Sequence, residues 1–164
     1  MVAADPSTVE LLKLAASAGL GLFAGLIVQW WKSARDERRA LSDEICRTAR
    51  GAIETAADYW LTLESTRLPS LEARLLGQQV ELNAIIQDTF ISELSFDHRV
   101  MVREQLKKFI KAATGDDFGS RGDIPKIELA KAVHMSGGEL INSVRLSIKH
   151  RNSLLGTLTT RLGR

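Results

Sequence analysis

The stretch LAASAGLGLFAGLIVQWW, from Leu14 to Trp31, carries no charge over eighteen residues. As a helix it spans about 27 Å, against a hydrocarbon core of roughly 30 Å. Its flanks are those of a membrane helix. Lys13 lies one position outside and can snorkel to the interface. Trp30 and Trp31 stand where an aromatic belt would put them, followed at once by Lys32 and Arg35. After Pro6, Ser7-Thr-Val-Glu10 reads as a capping box that opens the helix. Residues 1–31 are therefore expected to form a single N-terminal transmembrane anchor.

Two other readings compete. A cleaved signal peptide needs a basic leading region and a small-residue cleavage site, but Asp5 and Glu10 precede the run and no A-x-A-like site is present. A buried core helix fits the Ala and Gly content, and eighteen residues is the lower limit for a span. Orientation follows from the flanks. Lys13 is the only basic residue before the run, whereas Lys32, Arg35, Arg38, Arg39, Arg47 and Arg50 follow it closely. The positive-inside rule then places residues 32–164 in the cytoplasm and the N-terminus outside. Within the run, Ser17, Gly21 and Gly25 recur every four residues and Ala18 widens their face. Such a face lets helix backbones approach closely, so self-association is expected there.

The rest of the composition bounds the problem. The chain has 164 residues, 45% hydrophobic and 26% charged, which fits one domain with a short appendage and excludes disordered or collagen-like classes. Five Phe, three Trp, one Tyr and three Pro argue against a β-sandwich or barrel. The single Cys46 excludes a disulfide framework and any multi-cysteine metal site. The net charge of +2 averages unlike regions: residues 51–139 carry −4 and residues 140–164 carry +5 with no acid.

After Trp31 the periodicity is helical throughout, so the fold class is all-α. Leu41, Ile45, Ala49, Ile53, Ala57 and Trp60/Leu61 form a stripe on a helix that nothing interrupts between Ser7 and Ser65. That helix would be about 88 Å long, a stalk rising out of the membrane. Leu68-Pro69 predicts a turn. Further helices are expected over 70–94, with Leu71, Leu75, Leu82, Ile86 and Phe90 on one side, and over 97–113, burying Val100, Val102, Leu106, Phe109 and Ile110. A Gly/Asp-rich loop should follow over 114–124. Asp123 can cap the next helix, which is expected to stop at Gly137-Gly138, because Ser136-Gly-Gly-Glu139 is another capping-box pattern. A last helix would run from Glu139 to Leu155. The domain division expected is anchor 1–31, helical cytoplasmic domain 32–156 and basic tail 157–164.

Enzyme signatures are scarce. P-loop, GxGxxG, HExxH and GxSxG patterns are absent. Cys46 lies beside Ile45 on the apolar stripe and is expected to be a packed residue. His98 and His134 have no His or Cys at ligand spacing, and Asp116, Asp117 and Asp123 lack the alternation of a calcium loop, so no metal, cofactor or small-molecule substrate is expected. Arg145, Lys149 and Arg151, with Arg161 and Arg164, make a basic patch suited to RNA phosphates, anionic lipid or the acidic middle of a neighbouring subunit. No aromatics interleave with it, which lowers single-strand binding by stacking.

Arg145-Leu-Ser-Ile-Lys-His150 has the R-x4-H form of the HEPN ribonuclease motif. With fourteen Arg, three His and the three spacings R-x4-6-H that the motif allows, roughly 0.8 matches arise by chance. Positions five apart on a helix diverge by about 140°, so Arg145 and His150 would converge only across a dimer. Leu146 stands where HEPN motifs place a polar residue. One N-terminal membrane helix, a helical cytoplasmic domain and this late motif together resemble the small membrane accessory proteins of RNA-targeting type VI CRISPR systems, which assemble into membrane pores. The resemblance implies a homo-oligomeric antiviral effector in a bacterial inner membrane, with RNA or the CRISPR effector complex as partner and Arg145 and His150 as the HEPN-like pair. Two alternatives stand beside it: a membrane-tethered scaffold, and a metal-independent endoribonuclease.

Overall fold

The computed structural model describes the backbone of residues 6–63, 65, 67–115, 118, 119 and 124–151, and the side chains of these from residue 19 to residue 150. Among the described residues helix is the only regular structure: α1 (Pro6–Leu61), α2 (Leu68–Ala84), α3 (Phe96–Thr114) and α4 (Ile127–Arg151). The all-α expectation holds. The chain divides into two compact units, Met1–Arg38 and Arg39–Arg164, and α1 contributes to both.

In the second unit α1 is not a bare stalk. Ile45, Ala49, Ile53, Ala57 and Trp60 of the expected stripe are buried, but so are Ser42, Cys46, Ala52, Thr55, Ala56 and Tyr59. At 100° per residue these positions cover about 200° of the circumference. A helix buried over more than half of its circumference has more than one neighbour, and α1 is central in the sense that it touches α2, α3 and α4. Leu41 is only half-buried, and Leu61 is exposed because it points outside the buried arc although Tyr59 and Trp60 beside it are fully buried.

The neighbours lock onto α1 at separate levels. Trp60, fully buried, donates its indole N–H to the carbonyl of Ala113 at the end of α3 (3.1 Å). Its own carbonyl accepts the Lys126 N–H just before α4 (2.9 Å). These bonds satisfy groups that a helix end would otherwise leave unpaired. Tyr59 Oη donates to Glu72 Oε1 of α2 (3.1 Å) and accepts the Gly119 N–H (3.0 Å). Gly119 has φ +79, the left-handed region that glycine enters without strain.

Two helix boundaries differ from expectation. Leu68-Pro69 opens α2 rather than marking only a turn, since Pro is tolerated in a first turn where its missing N–H has no intrahelical partner. Past Ala84 the helix widens into a π turn, Ile85–Phe90, then tightens into a 3₁₀ turn, Ile91–Glu93. That change of pitch keeps Leu82, Ile86, Phe90, Ile91 and Leu94 buried. The larger correction is α4, which runs unbroken through Gly137-Gly138. A Cβ at Gly137 would overlap the Ile53 side chain and meet Phe109 Cδ2 at 3.4 Å, so the missing side chain serves helix packing, not termination. Val100, expected in the core, is exposed, whereas Val102, Leu106 and Phe109 are buried as expected.

Candidate functional site

The first candidate surface lies on α1 within the first unit. From Leu20 to Trp31 eight large apolar side chains are exposed: Leu20, Leu22, Phe23, Leu26, Ile27, Val28, Trp30 and Trp31. At 100° per residue they cover about 240° of the circumference, and the remaining arc of about 120° holds Gly21 and Gly25. Gly21 and Gly25 have open space where a Cβ would stand. Arg35 lies over the Trp31 ring, 5.4 Å from its centroid, a cation–π contact that holds a guanidinium beside the aromatic pair. The side chains of Lys13, Ser17 and Ala18 lie outside the described residues. Among the described residues no helix is long and apolar enough to cross a membrane; Leu14–Ala18, which begin the uncharged run, fall outside the described side chains.

The second surface is the late part of α4. Arg145, Leu146, Lys149 and His150 are exposed, while Val144, Ser147 and Ile148 between them are buried. Ser143 and Ser147 satisfy their buried hydroxyls by donating to backbone carbonyls one turn back, Leu140 at 2.7 Å and Ser143 at 2.8 Å. Arg145 and His150 share this surface without meeting each other within the chain, as their spacing dictates. The Arg151 side chain, with Asn152, Arg161 and Arg164, lies outside the described residues, as does the tail 157–164.

His150 meets a residue that sequence reasoning did not pair with it. Its ring centroid lies 4.7 Å from that of His98 in the first turn of α3, with the planes tilted by 45°. Burial lowers the His98 pKa from 6.5, the positive charge of His150 lowers it further, and Asp97 opposes both. Fifty-two positions separate the two histidines, so only the antiparallel packing of α3 on α4 brings them together; no local spacing could have signalled it. Two imidazoles in contact can exchange a proton or favour one protonated ring over two. Among the described residues no three His, Cys, Asp or Glu converge as a metal site. His134 is exposed, Cys46 is buried in the bundle core, and Asp116, Asp117 and Asp123 lie outside the described residues.

No protein-family model, curated protein or solved structure matches the chain.

Proposed function

We propose that this protein is a membrane-anchored, homo-oligomeric effector that permeabilises the membrane holding it, with Leu14–Trp31 as a single transmembrane helix and the bundle on the cytoplasmic side. The observation that carries the reading is the set of eight exposed apolar side chains between Leu20 and Trp31, which covers about two thirds of the helix circumference. Burying a large apolar side chain is worth about 1.5–3 kcal/mol, so eight amount to on the order of 10–20 kcal/mol. A cost of that size selects lipid or other copies of the same helix as surroundings. The flanking Trp30, Trp31, Lys32 and Arg35 suit a headgroup boundary. Gly21 and Gly25, with Ser17 on the same face, suit close helix–helix contact.

A single helix offers no path for ions, so conduction requires several copies. The resemblance to accessory proteins of type VI CRISPR systems supports the same picture and adds antiviral defence in a bacterial inner membrane, with an RNA-guided complex as the activating partner. The test is purified full-length protein in dye-loaded vesicles, with light scattering of the detergent-solubilised complex beside it. An assembly of many chains that releases dye is expected, and Gly21→Leu with Gly25→Leu should abolish both. The variant is a clean probe, because a Cβ at either glycine meets nothing else in the chain. A monomer with intact vesicles refutes the reading and leaves a membrane-tethered scaffold.

One observation favours a second reading. Arg145 and His150 are both exposed on the α4 face, open to a partner copy. In a dimer they can supply a phosphate-binding cation and a general acid or base for metal-independent RNA cleavage. Cleavage by the full chain that survives His150→Ala would remove that role.

A further inference from the structure

We infer that the exposed late face of α4, Arg145, Leu146 and Lys149, docks on anionic lipid headgroups. The inference rests on the proposed anchor. It begins with topology inside the second unit. Gly137 faces Ile53, and Lys126 N–H binds the carbonyl of Trp60, so α4 runs antiparallel to α1. Moving along α4 from Gly137 to Ile148 corresponds to moving back along α1 from Ile53 to Ser42, and both of those end residues are buried. The late face of α4 is therefore at the end of this unit where the chain arrives from Arg38.

The charges there are uncompensated. Arg145 and Lys149 stand at i and i+4, where like charges repel by a few tenths of a kcal/mol. Neither makes an ion pair among the described residues, and none of the exposed acids at this end, Asp43 and Glu44 of α1 and Asp97 of α3, is bonded to them. On the same helices Lys107 pairs with Glu104 at 3.3 Å and Lys131 with Glu128 at 2.8 Å, whereas Lys108 and Lys111 of α3 share with Arg145 and Lys149 the lack of an ion pair among the described residues. Residues 140–164 continue the same sign, with five basic residues and no acid. Leu146 is 46% exposed beside Lys149, about 60° further round the helix, and Phe96, which opens α3 at this end, is 76% exposed. Basic side chains beside a protruding apolar one match an interface that is anionic outside and apolar beneath. RNA is the poorer fit, because no Phe, Tyr or Trp interleaves with the basic residues of 140–164.

The test uses the full chain carrying Leu146→Cys labelled with bimane; native Cys46, 3% exposed, stays unlabelled in the folded protein. The protein is placed in nanodiscs of phosphatidylcholine alone or of phosphatidylcholine with phosphatidylglycerol. Blue-shifted emission is expected only in the anionic discs, and high salt should reverse it. At about 1 kcal/mol per basic residue near such a surface, Arg145→Gln with Lys149→Gln should reduce the docked-to-free ratio about 30-fold. Equal emission in the two discs, or a shift that survives the double variant, overturns the inference. A shift that appears only when an RNA oligonucleotide is added, in either disc, assigns the face to RNA and also overturns it. Protein that enters neither disc refutes the anchor instead, and its cosedimentation with anionic but not neutral vesicles then decides the α4 face by itself.

Discussion

Gly137 and Gly138 are neighbours in one helix, and alanine at the two positions should change stability in opposite directions. Gly138 is exposed with open space where a Cβ would stand, so Gly138→Ala brings only the helix-propensity gain of about 0.8–1 kcal/mol. At Gly137 the same gain is available, but the new methyl overlaps Ile53 Cγ1 and Cδ1 and presses on Phe109. Ile53 has little freedom to yield: it is β-branched, held near one χ1 rotamer by its own helix, and buried. Overpacking of this kind costs about 1–3 kcal/mol, and a blocked Cγ atom puts this site at the upper end. The net effect of Gly137→Ala is then a loss of about 2 kcal/mol. For a domain of this size that lowers the melting midpoint by roughly 6–8 °C, while Gly138→Ala raises it by about 3 °C. Thermal unfolding of the full chain in mild detergent, followed by circular dichroism, reads both. Ile53→Ala provides the internal control. It costs about 2–5 kcal/mol alone, but on that background Gly137→Ala should be neutral or stabilising, a coupling of about 2 kcal/mol. If Gly137→Ala stabilises the wild-type chain as Gly138→Ala does, or costs the same with and without Ile53, the packing argument is wrong.

Other outcomes follow from the same contacts. The lowered pKa of His98 means that the unfolded chain binds its proton more readily than the folded one. The stability involved is fully present above the unfolded value of about 6.5 and is lost as pH falls through the lower folded value; His98→Gln should flatten the acid side of a melting-midpoint profile, and an NMR titration placing His98 above 6.5 would contradict the assignment. Trp60→Phe removes the indole N–H from the Ala113 carbonyl and should destabilise the bundle by about 1–3 kcal/mol in urea unfolding. Tyr59→Phe leaves Glu72 Oε1 and the Gly119 N–H without that hydroxyl, for a loss of about 1–2 kcal/mol by the same assay. Cys46 is buried, so Ellman's reagent should react with it only at the rate of unfolding.

Much of the helical pattern was readable from side-chain period alone. Ile45, Ala49, Ile53, Leu75, Leu82, Ile86, Leu106 and Phe109 recur at helical intervals and all lie in the core. What periodicity cannot convey is how many neighbours a helix has. Thr55 lies to one side of the stripe and is polar, yet it is buried because α1 has partners on more than one side. Gly137-Gly138 departs from its local signal for a related reason. A glycine pair after a serine carries the chemistry of a helix stop, and only the position of Ile53 on another helix reveals that the space is occupied. On the α4 surface, exposure of Arg145 and Lys149 followed from their spacing, whereas the contact of His150 with His98 depends on tertiary pairing that local pattern does not encode.

The central place of α1 also constrains how the chain can be made. Its core half leaves the ribosome first, and its principal partners come last: roughly 90 residues separate Leu61 from the end of α4 at Arg151, about 5–20 s of elongation. The Trp60 carbonyl finds the Lys126 N–H, and Gly137 reaches Ile53, only after most of that interval. During it, the broad apolar arc from Ile45 to Trp60 has no bundle to enter. Nascent chains stalled before α4 should therefore bind ribosome-associated chaperones strongly, and release of the full-length chain should end that binding in one step.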